Sequence, residues 1–160
     1  VKIMKKTFKN EIKNLFDFEK GQLINFYCNN DNCKIINDIF NYYSDKGLYI
    51  DLWYNDDLKK VITKSLNVGF ITSFQIIKML EETTSKFIVI DSWELITHKD
   101  DWFINKLNDL AKSKKMVIVM KVNLNSNKKI NRREIKNLKL HLDKLNKNIQ
   151  MINNDECLVY

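Results

Sequence analysis

Apolar runs recur at four places along the chain: QLINFY (22–27), LYIDLW (48–53), FIVID (87–91) and MVIVMKV (116–122). The last two are apolar at nearly every position, the pattern of strands buried on both faces, as in a parallel sheet. Between the runs the spacing turns helical. Ile35, Ile36, Ile39, Phe40 and Tyr43 share one face of a helix over 34–44, and Phe74, Ile77, Met79 and Leu80 mark another. A third helix is expected over 100–112. Residues 56–65 read as helical, VGFI (68–71) as a short strand, and a Lys-rich helix runs to about residue 147. The segment IQMINNDECLVY predicts a hairpin with Asn153, Asn154 and Asp155 in its turn. With no proline and three glycines, punctuation falls to clusters of Asn, Asp, Ser and Lys. Strands alternating with helices predict a three-layer α/β fold with a mainly parallel sheet, right-handed crossovers and a C-terminal β-hairpin. Residues 1–20 are expected as an arm or helix against a core formed by 21–160, within a single domain.

Composition supports one core and narrows the setting. A chain of 160 residues, 44% hydrophobic, buries a single sizeable core. No run approaches the roughly 20 apolar residues of a membrane helix, so no membrane partner is expected. The segment VKIMKKTFKNEIKNLF is too interrupted by charge for a signal peptide. Three cysteines without a repeated pair spacing predict no disulfide framework, and a reducing cytoplasm is the default location. His98 and His141 lie far from the cysteines in sequence, so no zinc site is expected. The net charge of +7 suits a polyanionic partner. Lys, Asn and Ile are inflated together, however, as in AT-rich coding sequence, and ordinary solvated surface explains the charge as readily.

The segment CNNDNCKI (28–35) joins the first strand to the first helix. Strand, polar loop, lysine and helix are the parts of a phosphate-binding loop, with Cys28, four residues, Cys33 and Lys34 at the required spacing. Such loops use glycines to turn backbone N–H groups toward phosphate, and a Ser or Thr after the lysine to hold magnesium. Here both loop glycines are cysteines, and Ile35 stands at the hydroxyl position. Asn29, Asn30, Asp31 and Asn32 tolerate left-handed conformations, but Asp31 brings a negative charge to a place meant for phosphates. By spacing alone the segment reads as a simple strand-to-helix turn.

Taken with GLYIDLW, KFIVIDSWELI and KKMVIVMKVN, the segment GQLINFYCNNDNCK resembles the RecA-like recombinases, and is most similar to the small archaeal RadA and RadB paralogues. The likeness covers about residues 20–125. It rests on Gly21, Tyr27, Lys34, Tyr49-Ile50-Asp51 and Val89-Ile90-Asp91-Ser92, four weak motifs in the family's order. It implies a RecA-like P-loop NTPase core. It also implies that Lys34 is the phosphate-binding lysine and Asp91 the acid that positions magnesium, with Ser92 beside it. Trp53 stands where the family has its catalytic glutamate, and Lys121 where it has the glutamine that senses the γ-phosphate. Since phosphoryl transfer depends on positioning and charge stabilisation, losing these groups together removes most of the rate. Trp53 and Trp93 are expected to fill the space a nucleotide would take.

The resemblance thus implies a non-catalytic recombinase paralogue. It would be an accessory factor in recombination or repair, binding DNA, with single-stranded DNA among the forms open, a recombinase of the same family, or both, with oligomers open. No cofactor is expected, ATP and magnesium being the ligands a surviving site would take. The alternative is a nucleotide-dependent ATPase with an unusual phosphate loop, and an adaptor using only the fold stays open as well. Family loops that touch DNA would correspond to 97–102 and 123–134. The second carries Lys128, Lys129, Arg132 and Arg133, cations suited to phosphate contacts without base readout. A solvated loop leading into an amphipathic helix reads equally well.

Overall fold

A computed structural model describes residues 4–7, 15–29, 34–52, 65–67, 72–93, 96, 100–123, 147–153 and 156–159. Its strands are β1 (Met4–Thr7), β2 (Gln22–Cys28), β3 (Gly47–Asp51), β4 (Ser65–Asn67), β5 (Phe87–Asp91), β6 (Val117–Asn123), β7 (Lys147–Met151) and β8 (Glu156–Val159). They form one sheet in the order β1-β8-β7-β2-β6-β5-β3-β4. The six strands from β7 to β4 run parallel. β7 and β8 pair antiparallel as the expected C-terminal hairpin, and β1 adds to the far side of β8.

The apolar runs became the central strands for the reason the pattern gave. β5 is buried at all five positions and β6 at its first six, because helices cover both faces. The described helices are α1 (Ile35–Tyr42), α2 (Ser73–Glu82) and α3 (Asp101–Ser113). Ile35, Ile36, Ile39 and Phe40 of α1 pack on Ile24, Phe26, Tyr49, Phe87 and Val89 on one face of the sheet. Ile76, Ile77 and Leu80 of α2, with Phe103, Ile104 and Leu107 of α3, pack on Tyr27, Ile50, Ile88 and Ile118 on the other. The three layers follow directly from these two cores.

Caps fix where the second and third helices begin. The Thr72 hydroxyl accepts from the Gln75 N–H while the Gln75 side chain accepts from the Thr72 N–H, a reciprocal capping box. The Asp100 carboxylate accepts from the Phe103 N–H at the start of α3. At the other end of α2, the Lys114 ammonium donates to the carbonyls of Leu80, Glu81 and Thr83 at 2.7, 2.9 and 2.7 Å. It neutralises acceptors that a helix C-terminus leaves open, and ties α2 to the turn before β6.

Gly21, the first residue of the family-like pattern, has a packing role. Its φ is +75°, and a Cβ there would lie 1.8 Å from the Ala111 carbonyl oxygen. The glycine lets α3 end directly against the start of β2, at the edge of the sheet away from the 28–35 segment.

Several expectations are corrected. Residues 4–7, expected within an arm or helix, form a strand, because β8 would otherwise leave a row of unpaired backbone groups. Ser65, given to a helix, begins a strand that ends at Asn67, earlier than the expected 68–71. The remainder of that helix and of that strand lie outside the described residues, as does the Lys-rich helix before β7. The first helix stops at Tyr42 and gives way to a 3-10 turn over Ser44–Lys46 that leads into β3. Among the described residues no helix is long and apolar enough to cross a membrane.

Candidate functional site

In an open α/β sheet, ligands gather beyond the carboxyl ends of the strands, where successive helices leave to opposite faces. Here α1 follows β2 onto one face and α3 follows β5 onto the other, with β6 between these two strands. At the carboxyl ends the register aligns Asp51 of β3, Asp91 of β5 and Lys121 of β6. Two residues back from Asp51, Tyr49 lies in the α1-side core, so by strand alternation all four side chains point to that face.

Three groups contact the Asp91 carboxylate. Oδ2 accepts a 2.6 Å hydrogen bond from the Tyr49 hydroxyl and forms a 3.1 Å ion pair with the Lys121 ammonium. Oδ1 accepts from the Ser92 hydroxyl at 3.4 Å. The Lys121 ammonium also lies 3.5 Å from the Tyr49 oxygen, closing a triangle. The pair is dry, the side chains of Lys121 and Asp91 being 9% and 12% exposed. Asp51 is wholly buried beside it. Burial, followed by the charge of Asp91, its hydrogen bond and the charge of Asp51, holds the Tyr49 hydroxyl well above the usual 10.0, so it stays a donor. Ser92 sits at φ 61°, a left-handed conformation costly for a residue with a Cβ, and its N–H donates to the Lys121 carbonyl.

Magnesium does not fit this arrangement. A metal-positioning carboxylate offers lone pairs to water on the ion, and Oδ2 of Asp91 is already given to a cation and a hydroxyl. A lysine ammonium occupies the position of positive charge, so a divalent ion would have to displace it. Ile35, the residue after Lys34, is packed into the core.

Of the other expected site residues, Lys34 stands at the N-terminal boundary of α1 with its side chain exposed, does not cap the helix, and takes no part in the Asp91 network. Trp93 is 1% exposed and belongs to the core on the α2 and α3 face. The expectation that it fills a nucleotide's place is therefore corrected: it packs on the opposite side of the sheet from α1. Cys28 is disulfide-bonded, against the expectation of reduced cysteines, since a count of residues carries no information on which thiols approach each other. Trp53, residues 30–33, and Lys128, Lys129, Arg132 and Arg133 lie outside the described residues.

Two features escaped the sequence reading. Tyr49 was visible only as part of a motif, although parallel pairing of LYID with IVID puts it on the same face as Asp91, one same-face step away. The second is an aromatic pair on the first turns of α2 and α3. The rings of Phe74 and Trp102 lie 5.1 Å apart and are 61% and 40% exposed. Trp102 closes the 97–102 segment singled out for DNA contact.

Comparison with known proteins finds no family model that matches the chain and no curated protein of similar sequence.

Proposed function

We propose that this chain is a non-hydrolysing paralogue of the RecA-like recombinases. It keeps a RecA-like P-loop core as a scaffold and serves recombination or repair as an accessory factor that binds DNA. The observation that carries the reading is the occupied carboxylate of Asp91. Where a hydrolase keeps an acid free for magnesium, this chain supplies its own cation, Lys121, and a hydroxyl held protonated, Tyr49. An internal cation removes the need for metal and, with it, the means of stabilising charge on a transferring phosphoryl group.

Two features support nucleic acid as the partner: the excess of positive charge and the exposed Phe74–Trp102 pair. Aromatic faces stack on bases without regard to sequence, and the cations Lys128, Lys129, Arg132 and Arg133 would follow the phosphates. A recombinase of the same family is the partner to look for if DNA fails.

The test joins turnover to binding. Phosphate release from Mg-ATP, with and without single-stranded DNA, is expected to stay at background. Oligo(dT) is expected to bind with a steep salt dependence and to quench Trp102 fluorescence. Replacing the four cations with Ala should lower both affinity and salt slope, and Trp102→Ala should lower affinity alone. ATP turnover that disappears in Asp91→Asn would establish the enzyme reading in its place. DNA binding that none of these substitutions alters would remove the DNA assignment.

A further inference from the structure

The amino-terminal edge of the sheet, opposite the Asp91 cluster, carries a cleft of about 570 Å³ lined by Phe18, Lys46, Lys86, Ser113, Lys114 and Lys115. Four of these six residues are lysines and none is acidic. Their meeting is imposed by the backbone. Lys46 directly precedes β3, Lys86 precedes β5, and Lys115 lies two residues before the start of β6. The Lys86 N–H donates to the Lys46 carbonyl at 2.7 Å, and the Val117 N–H to the Lys86 carbonyl at 2.8 Å. The sheet ladder thus extends one residue back to hold Lys46 and Lys86 at strand spacing, an arrangement that like charges oppose, with Lys114 and Lys115 in the turn that leads into β6.

The four ammonium groups are not equally available. Lys114 is committed to the carbonyls ending α2, where it forms a fixed wall. Lys86 gives one hydrogen bond, to the Lys114 carbonyl at 2.8 Å, which leaves two of its three donors. Lys46 lies 5.9 Å from the centre of the Phe18 ring. Lys115 occupies the position after α3 that glycine usually takes. Its φ is 52°, with the Met116 N–H donating to Ala111 and the Lys115 N–H to Lys112, the two bonds of a Schellman turn. A lysine held where a glycine would fold more easily breaks a local rule without any gain in packing, the kind of departure found at functional positions.

We infer that this cleft binds a phosphate group carried on a planar ring, as in a nucleotide, free or within a single strand. Lys46, Lys86 and Lys115 supply charge and donors for the phosphate, and Phe18, packed against Tyr43 and Phe87, supplies the apolar wall for the ring. The volume falls in the range of small-molecule sites. The ligand would relieve the repulsion among lysines that the sheet holds together. The inference does not rest on the proposed recombinase role, because the cleft lies at the other end of the strands from the Asp91 cluster.

Titration calorimetry at low salt with inorganic phosphate, adenosine monophosphate and a short oligo(dT) tests it. Adenosine monophosphate is expected to bind more tightly than phosphate. Lys115→Gly and Lys86→Gln should each weaken it about tenfold, the loss of one charge-assisted contact. Phe18→Leu should bring it down to the level of phosphate. Because Lys115→Gly relieves a left-handed lysine, that variant tests binding in a protein that folds at least as well. Oligo(dT) binding that is tighter than the mononucleotide and is weakened by Lys115→Gly and Lys86→Gln makes a strand the source; oligo(dT) binding no tighter than the mononucleotide, and weakened by the same variants, makes the free nucleotide the source. No binding of any probe overturns the inference. So does binding indifferent to Lys115→Gly and Lys86→Gln, phosphate binding as tight as the mononucleotide, or binding lost in Lys34→Ala but kept in Lys115→Gly.

Discussion

Replacing Lys121 with Met is the sharpest probe of the Asp91 cluster, because it removes the charge and keeps much of the side-chain volume. At 3.1 Å the pair's gross attraction is about 5 kcal/mol for an effective dielectric near 20. Most of that offsets the cost of drying two ions, so the intact pair contributes little net stability. The variant is different, since it strands the Asp91 carboxylate next to buried Asp51 with only hydroxyl donors left. Breaking a buried pair from one side costs about 3–5 kcal/mol, a large share of the roughly 5–15 kcal/mol that holds a domain together. For a chain of 160 residues the midpoint should fall by roughly 10 °C or more. Asp91→Asn in the Lys121→Met background removes the stranded charge while the amide oxygen still accepts from Tyr49. It should recover about half of the loss. Urea unfolding of the wild type, both single variants and the double measures the coupling, expected at about 3 kcal/mol or more. Single variants that each cost under about 1 kcal/mol, or that simply add, would refute the internal ion pair. A companion measurement asks about metal directly. If Lys121 holds the place of a cation, magnesium should raise the midpoint of Lys121→Gln and leave the wild type unmoved.

Other features give independent tests. Tyr49 has its folded-state pKa above 10.0, so the unfolded chain releases that proton first as pH rises. Its contribution is complete below about pH 10 and declines toward the folded-state value. Tyr49→Phe should cost about 2 kcal/mol at neutral pH, and the gap to wild type should narrow above pH 10; a gap constant to pH 11 contradicts the assignment. Asn25 and Asn148, both buried, share a 2.7 Å hydrogen bond between β2 and β7. Asn148→Ala should cost about 1–3 kcal/mol in urea unfolding, and adding Asn25→Val should recover part of it, since no unpaired amide then remains. Lys115→Gly should raise stability by up to about 1 kcal/mol by relieving the left-handed lysine, read as a higher thermal midpoint. Gly21→Ala should cost more than about 3 kcal/mol, because the added methyl would overlap the Ala111 carbonyl at a positive φ; wild-type stability in that variant would mean the α3–β2 contact is misplaced.

The sheet's parallel centre was legible because β5 and β6 are covered on both faces, which writes burial into every position. α1 was legible through the spacing of Ile35, Ile36, Ile39 and Phe40, and α3 through the helical stretch between two apolar runs, although its Asp100 cap was not read. Short edge strands were not. β1 and β4 have three or four residues each and owe their state to a neighbour's open hydrogen bonds, which no local pattern records. The site was half legible. Asp91 and Lys121 could be singled out by place in a motif order, but their contact depends on β6 lying next to β5. Two strands separated by a helix in sequence reveal this only once the sheet order is known. The amino-edge lysines escaped for the same reason: each looks like an ordinary residue before a strand until the strands stand side by side.

The changes around Asp91 are physically linked. Asp51 and Asp91 occupy matched positions on adjacent strands and are both buried, so the sheet carries two carboxylates where desolvation disfavours even one. A fold that depended on magnesium there could neutralise them with the ion. Without an ion the two carboxylates need a charge from the chain itself, and among the described residues Lys121 is the only buried cation. Its position on β6 is the one in register with Asp91, where a glutamine would leave the carboxylates uncompensated. Restoring a hydroxyl with Ile35→Ser alone should therefore not restore a metal site, because the ammonium would still hold Asp91. Ile35→Ser with Lys121→Gln removes both obstacles, and magnesium-dependent stabilisation as large in Lys121→Gln alone as in this double variant would show that the lysine, rather than the missing hydroxyl, keeps the site closed.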